Sequence, residues 1–158
     1  MDFTAFFDYP GTGEAAAAEE LVFLPNASSE EWSRLLEHTE ARPFRAGDIV
    51  VRQGSSEQAL FIVTDGRLEV LVGGDAPKRI ATIEPGSVFG EQSFFDGKPR
   101  SASVRALADG EIRSLAVGAF EVLAAKEPAL ARAILFDLAR ILSLRLRQTT
   151  ARVSDLGA

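Results

Sequence analysis

No cysteine occurs in the 158 residues, which excludes disulfides, thiolate catalysis, zinc–sulfur sites and iron–sulfur clusters. Histidine is nearly as scarce, with only His38. Catalytic zinc and non-haem iron sites draw on two or three imidazoles, and a serine-hydrolase site needs one beside its nucleophile. His38 sits in Leu35-Leu36-Glu37-His38-Thr39-Glu40, an acidic helical stretch, and reads as a solvated surface residue. The chain is therefore expected not to be an enzyme and to hold no metal. No apolar run approaches the roughly 18 residues that cross a bilayer. Met1 to Pro10 lacks the basic start and apolar core of a signal peptide. A cytoplasmic address without a membrane partner is the expectation.

What is present is ordinary for one soluble globular domain: 46% hydrophobic and 25% charged residues at a mean hydropathy of +0.06. The net charge of −6 is uneven. Residues 1–40 hold nine acids and the single base Arg34, whereas 129–158 hold five arginines against Asp137 and Asp155. Five arginines spread around one helix under an acidic total read as a solvated face, so no nucleic acid is expected as a partner.

Residues 1–27 read as an N-terminal arm. Pro10-Gly11-Thr12-Gly13 breaks a short aromatic stretch, and Glu14 to Glu20 is strong helix former of low complexity. Ser28 with Glu31 three residues on forms a capping box, predicting a helix to about His38. From Arg42 the punctuation changes to short apolar runs between turn residues. Strands are predicted near 48–53, 59–64, 67–73, 78–84, 87–89, 101–108 and 110–117. Asp65-Gly66 and Asp109-Gly110 are hairpin dipeptides. Ala119 to Lys126 then turns helical, and Pro128 opens a second helix running to about Leu156, roughly 40 Å long. The predicted fold is mainly β with flanking α: an antiparallel β-roll, or jelly-roll barrel, over about 42–117, with N-terminal helices and two C-terminal helices over about 118–156. The second domain segment is 28–158.

The chemistry concentrates in Phe89-Gly90-Glu91-Gln92-Ser93-Phe94-Phe95-Asp96-Gly97-Lys98-Pro99-Arg100-Ser101-Ala102. Gly90 lets a backbone pass close to a ligand, and the turn after it presents free N–H groups to a phosphate. Glu91 only accepts hydrogen bonds, which suits a sugar hydroxyl. Arg100 offers a fork of donors matched to phosphate oxygens, with the Ser101 hydroxyl beside it. Lys98 and Arg105 read as solvated. Together these residues fit a small sugar phosphate.

This segment resembles the phosphate-binding cassette of the cyclic-nucleotide-binding domain family. There a Gly-Glu pair is followed, about nine residues later, by Arg, a small residue and Ala, then an apolar strand; Gly90, Glu91, Arg100, Ser101, Ala102 and Val104 fall in register. Gly47-Asp48, Gly54, Leu60 to Val63 and Gly66 extend the likeness, which covers about 28–156. The departures are Gln92 and Phe94, where aliphatic residues are usual, and Ser55 and Glu57. The resemblance implies that Glu91 holds the ribose 2′-hydroxyl, and that Arg100 and the N–H groups around Ser93 and Ser101 hold the cyclic phosphate. It implies cyclic AMP as ligand, since Ser101 follows Arg100, with cyclic GMP as the alternative and no further cofactor. Arg100 is expected to face a solvated cleft with Glu91 as a loose partner; the bland alternative is an internal Glu91–Arg100 ion pair in an empty barrel.

On the last helix Leu135, Leu138, Leu142, Leu146, Val153 and Leu156 share a stripe, with Leu130, Ile134, Ile141 and Leu144 beside it. That arc is too wide for one wall, so one side covers the barrel and the other pairs in a parallel homodimer. Arg145 and Thr149 interrupt it. In one branch of the family an arginine followed four residues on by Thr-Ser reaches the adenine, and Arg145, Thr149 and Thr150 reproduce the spacing, which implies base contacts. An ungapped count from Pro128 instead puts Arg145 and Leu146 at the Thr-Ser position. The functional expectation is a stand-alone cyclic-nucleotide-binding module, with no attached DNA-binding domain, that signals through its C-terminal helices to its own dimer or to an unidentified protein effector. The alternative is a dimerisation or interaction domain of the same fold that no longer binds nucleotide.

Overall fold

The computed structural model describes residues 21–156. Its first helix, α1 (Ser29–Leu36), begins where the capping box places it: Ser28 Oγ accepts the Glu31 N–H at 3.1 Å, and Glu31 Oε1 accepts the Ser28 N–H at 3.2 Å. His38 follows in the turn, half-buried. The helix-forming stretch Glu14 to Glu20 and the aromatic stretch before it lie outside the described residues.

Eight strands make two four-stranded antiparallel sheets. The first orders β1 (Glu40–Phe44), β8 (Gly110–Ala116), β3 (Ala59–Asp65) and β6 (Val88–Phe89). The second orders β2 (Ile49–Val51), β7 (Ser103–Ala106), β4 (Leu68–Val72) and β5 (Lys78–Ile83). This is the antiparallel β-roll that the turn spacing predicts. The two hairpin dipeptides lie against each other. A Cβ on Gly66, at φ +89°, would sit 2.8 Å from the Asp109 carbonyl, so neither turn tolerates a side chain there. Arg105, read as solvated, is half-exposed and donates to the buried Glu69 at 2.9 Å, with Arg79 on the other carboxylate oxygen.

Between β6 and β7 lies a short helix, α2 (Glu91–Asp96). After β8 the chain passes directly into α3 (Val117–Lys126) and then α4 (Pro128–Leu156), the two C-terminal helices. The core has two parts divided by β3. Leu60 and Ile62 face a helical layer with Leu35, Leu123, Ile134 and Leu138. Phe61 and Val63 face the roll interior with Leu68, Ile83, Phe89 and Ile112. A strand buried on both faces reads as a continuous apolar run, and Ala59-Leu60-Phe61-Ile62-Val63 is one.

Two features differ from expectation. β1 lies before the first predicted strand, since Glu40-Ala41-Arg42-Pro43-Phe44 has no apolar alternation and buries only Phe44; it is an edge strand, the one place where Pro43 costs no ladder bond. The end of the supposed arm, 21–27, is not peripheral: Leu21, Phe23 and Leu24 are buried in the helical-layer core, with Phe23 edge-on to Trp32.

Candidate functional site

The cassette begins at Gly90, which caps α2 with φ +80°. A Cβ there would strike the Arg100 guanidinium and lie 3.1 Å from both the Ala59 carbonyl and the Phe61 ring. Glycine is required for conformation and for space. Arg100 is fixed at the other side by backbone bonds to the turn after β2: its N–H donates to the Ser55 carbonyl at 2.8 Å, and its carbonyl accepts the Gly54 N–H at 2.8 Å.

The Arg100 side chain corrects the expectation of a solvated cleft. It is 5% exposed. Nη1 donates to the Gly90 carbonyl at 2.8 Å and Nη2 to the Ala59 carbonyl at 2.6 Å, while Cζ lies 5.0 Å from the Phe61 ring centroid. Glu91 is not its partner. The Glu91 carboxylate, 1% exposed, takes Arg145 Nη1 on Oε1 at 2.5 Å, and Arg145 Nη2 donates to the Val88 carbonyl at 2.9 Å. The internal Glu91–Arg100 pair is therefore replaced by a buried ion pair between cassette and α4. Glu91 Oε2 is buried without a hydrogen-bond partner.

A small cleft opens beside these groups, lined by Gly90, Ser93, Arg100, Ser101 and Ala102, all expected from sequence. Gln92 also lines it; the signal was its polarity at a position where the cassette is usually aliphatic. Lys98 is exposed outside the cleft. Arg145 and Thr149 are both buried on the roll-facing stripe of α4: Arg145 pairs with the Glu91 carboxylate, and the Thr149 hydroxyl donates to the Arg145 carbonyl at 3.0 Å. On the same ring as Arg100, Arg42 lies 5.5 Å from the Phe61 centroid and pairs with Glu57 through Nη1 and Nη2. The hydrogen bonds from Arg42 hold the Glu57 carboxyl below its ordinary range. Among the described residues no group of three or more His, Cys, Asp or Glu is placed to hold a metal, and no helix is long and apolar enough to cross a membrane.

A buried carboxylate oxygen without a hydrogen-bond partner, a buried guanidinium and a glycine-hinged turn thus come together at one end of the β-roll. The cyclic nucleotide-binding domain description matches residues 41–127, and the chain belongs to that family. The cyclic AMP receptor protein of Thermus thermophilus is 32% identical over 131 residues, 81% of this chain and 58% of that protein. The cAMP-dependent protein kinase regulatory subunit of Emericella nidulans is 27% identical over 108 residues, 68% of this chain and 26% of that one. The crystal structure of Thermus thermophilus catabolite activator protein matches with a TM-score of 0.75 and 27% identity, over 84% of this chain and 62% of that one. The chain thus spans about a quarter to three-fifths of the length of these proteins.

Proposed function

We propose that the chain is a cyclic-nucleotide sensor, with cyclic AMP as its ligand in preference to cyclic GMP, whose output is the position of α4. One observation carries this reading: the carboxylate suited to the ribose hydroxyl is held by an arginine from the C-terminal helix. A ligand whose 2′-hydroxyl donates to Glu91 draws on the carboxylate that Arg145 neutralises, and its phosphate draws the Arg100 fork from the Gly90 and Ala59 carbonyls. Both exchanges swap protein partners for ligand partners at the point where α4 meets the cassette. The shift of α4 is the population of one helix position over another, biased by the ligand's preference between them. The reading assigns no catalytic group, so the domain acts by binding. Calorimetric titration against cyclic AMP, cyclic GMP and cyclic di-GMP tests it: saturable binding of a cyclic mononucleotide is expected, and no heat with any of the three would refute it.

A homodimer through α4 is part of the same proposal. Leu135, Leu146, Val153 and Leu156 are exposed, with Leu142 half-buried between them, at spacings of seven, four, seven and three residues that keep them on one face of the helix. Leu146 is 67% exposed on a helix whose opposite stripe is buried. Replacing Leu142 and Leu146 with Glu is expected to convert dimers to monomers by sedimentation at tens of micromolar, about −6 kcal/mol of association. A wild-type chain already monomeric there would remove the dimer from the proposal.

A further inference from the structure

The helix that carries Arg145 is held at a second point, two turns earlier. Asp137 Oδ2 accepts the Leu24 N–H at 2.7 Å, and its Oδ1 accepts Arg140 Nε at 2.7 Å. Arg140 Nη2 reaches past it to the Val22 carbonyl at 2.9 Å. One carboxylate and one guanidinium thus clasp residues 22–24 to α4. The clasped segment is seated on the roll as well, since the Phe23 N–H donates to the Gly86 carbonyl at 2.9 Å. Gly86 stands two residues before β6, whose Val88 carbonyl receives Arg145. The contacts therefore close a circuit: cassette to Arg145, down α4 to Asp137, across to Leu24, and back through Phe23 to the strand leading into the cassette.

The clasp holds Leu24 in a conformation it resists. Its φ of +48° is the one positive value at a non-glycine position among the described residues. Such a backbone persists only where the surroundings over-determine it. Here they are the Asp137 carboxylate on its N–H and the burial of its side chain.

We propose that Asp137 is a positioning residue for nucleotide binding: by pinning residues 22–24 to the first half of α4, it sets how firmly Arg145 rests on Glu91. The inference rests on the sensor reading above. Arg145 holds Oε1 and leaves Oε2 without a hydrogen bond, so on that reading nucleotide and Arg145 draw on one buried carboxylate: whatever fixes Arg145 there lowers the charge left for the ribose hydroxyl, and loosening the clasp favours the helix position in which both oxygens are available.

Asp137→Asn keeps the shape and removes the charge. Titrated with cyclic AMP, it should bind about fivefold or more tightly than the wild type, and the gain should vanish in an Arg145→Leu background, where the latch is already gone. Arg140→Gln spares the Leu24 hydrogen bond and should give a smaller gain of the same sign. A purely structural Asp137 would lower the melting temperature in both backgrounds and move affinity in neither. Equal or weaker binding by Asp137→Asn, or the same gain in both backgrounds, overturns the proposal. Should neither cyclic AMP nor cyclic GMP bind any variant, the sensor reading itself fails, and amide exchange still decides the positional link. Asp137→Asn should then speed exchange at Leu24 and along 141–149, and a change confined to Leu24 overturns the link.

Discussion

Arg100→Ala is expected to weaken cyclic-nucleotide binding by a factor of roughly one hundred to ten thousand. A guanidinium meeting two phosphate oxygens makes two charge-assisted hydrogen bonds of about 1.5–3 kcal/mol each. Losing both removes about 3–6 kcal/mol, which is that factor. The burial of Arg100 adds a second consequence that a solvated arginine would not have. Its fork satisfies the Gly90 and Ala59 carbonyls and covers the Phe61 face, so the empty variant should also be less stable by about 1–3 kcal/mol, the usual cost of stranding a buried polar group. For a chain of this size that is a melting shift of several degrees. Arg100→Lys retains the charge without the fork and should recover part of both losses. Titration with cyclic AMP and melting curves of wild type and the two variants check the pair of effects. An alanine variant that binds as tightly as wild type would take Arg100 out of the site.

Glu91→Gln should be the most destabilising single change in the cassette. Glu91 and Arg145 are 1% and 6% exposed, and removing one charge of a buried pair leaves the other uncompensated, a loss of about 3–5 kcal/mol. The expected fall in melting temperature is roughly 6–20 °C. Nucleotide binding should be lost with it, because an amide is a poorer acceptor for the ribose hydroxyl than a carboxylate. The double variant Glu91→Gln with Arg145→Leu should regain most of the stability, since it strands no charge, yet should not regain binding. A single variant that melts with the wild type would mean the pair is not closed in solution.

The cassette was legible because its elements are local. A glycine, a carboxylate and a guanidinium at short fixed separations identify themselves without tertiary information, and the two hairpin dipeptides and the capping box at Ser28 are equally local. What escaped is what depends on distant partners. Arg100 donates to the carbonyls of Gly90 and Ala59, and a backbone acceptor leaves no mark in the sequence, so its burial could not be read. Arg145 and Glu91 stand 54 positions apart, and nothing in either neighbourhood announces the other. Residues 21–24 failed for a related reason: Leu21-Val22-Phe23-Leu24-Pro25 is apolar without a helical or strand period, and only its seat between Gly86 and Asp137 gives it a place.

The sharing of β3 between the two cores bears on how the domain can move. Leu60 and Ile62 belong to the helical layer and Phe61 and Val63 to the roll, so the helices cannot detach without baring alternate residues of a central strand. Partial melting of the helical layer is thereby costly, since Leu60 and Ile62 would lose their packing while Phe61 and Val63 kept theirs. Under the proposed sensor function, α4 would move as a rigid swing about its packed first half, around Leu130, Ile134 and Leu138, with its displacement growing toward Leu156. A small exchange of partners at Arg145 would then be amplified by the length of helix beyond it, a lever with the apolar contact as fulcrum and the exposed end of α4 as its free arm.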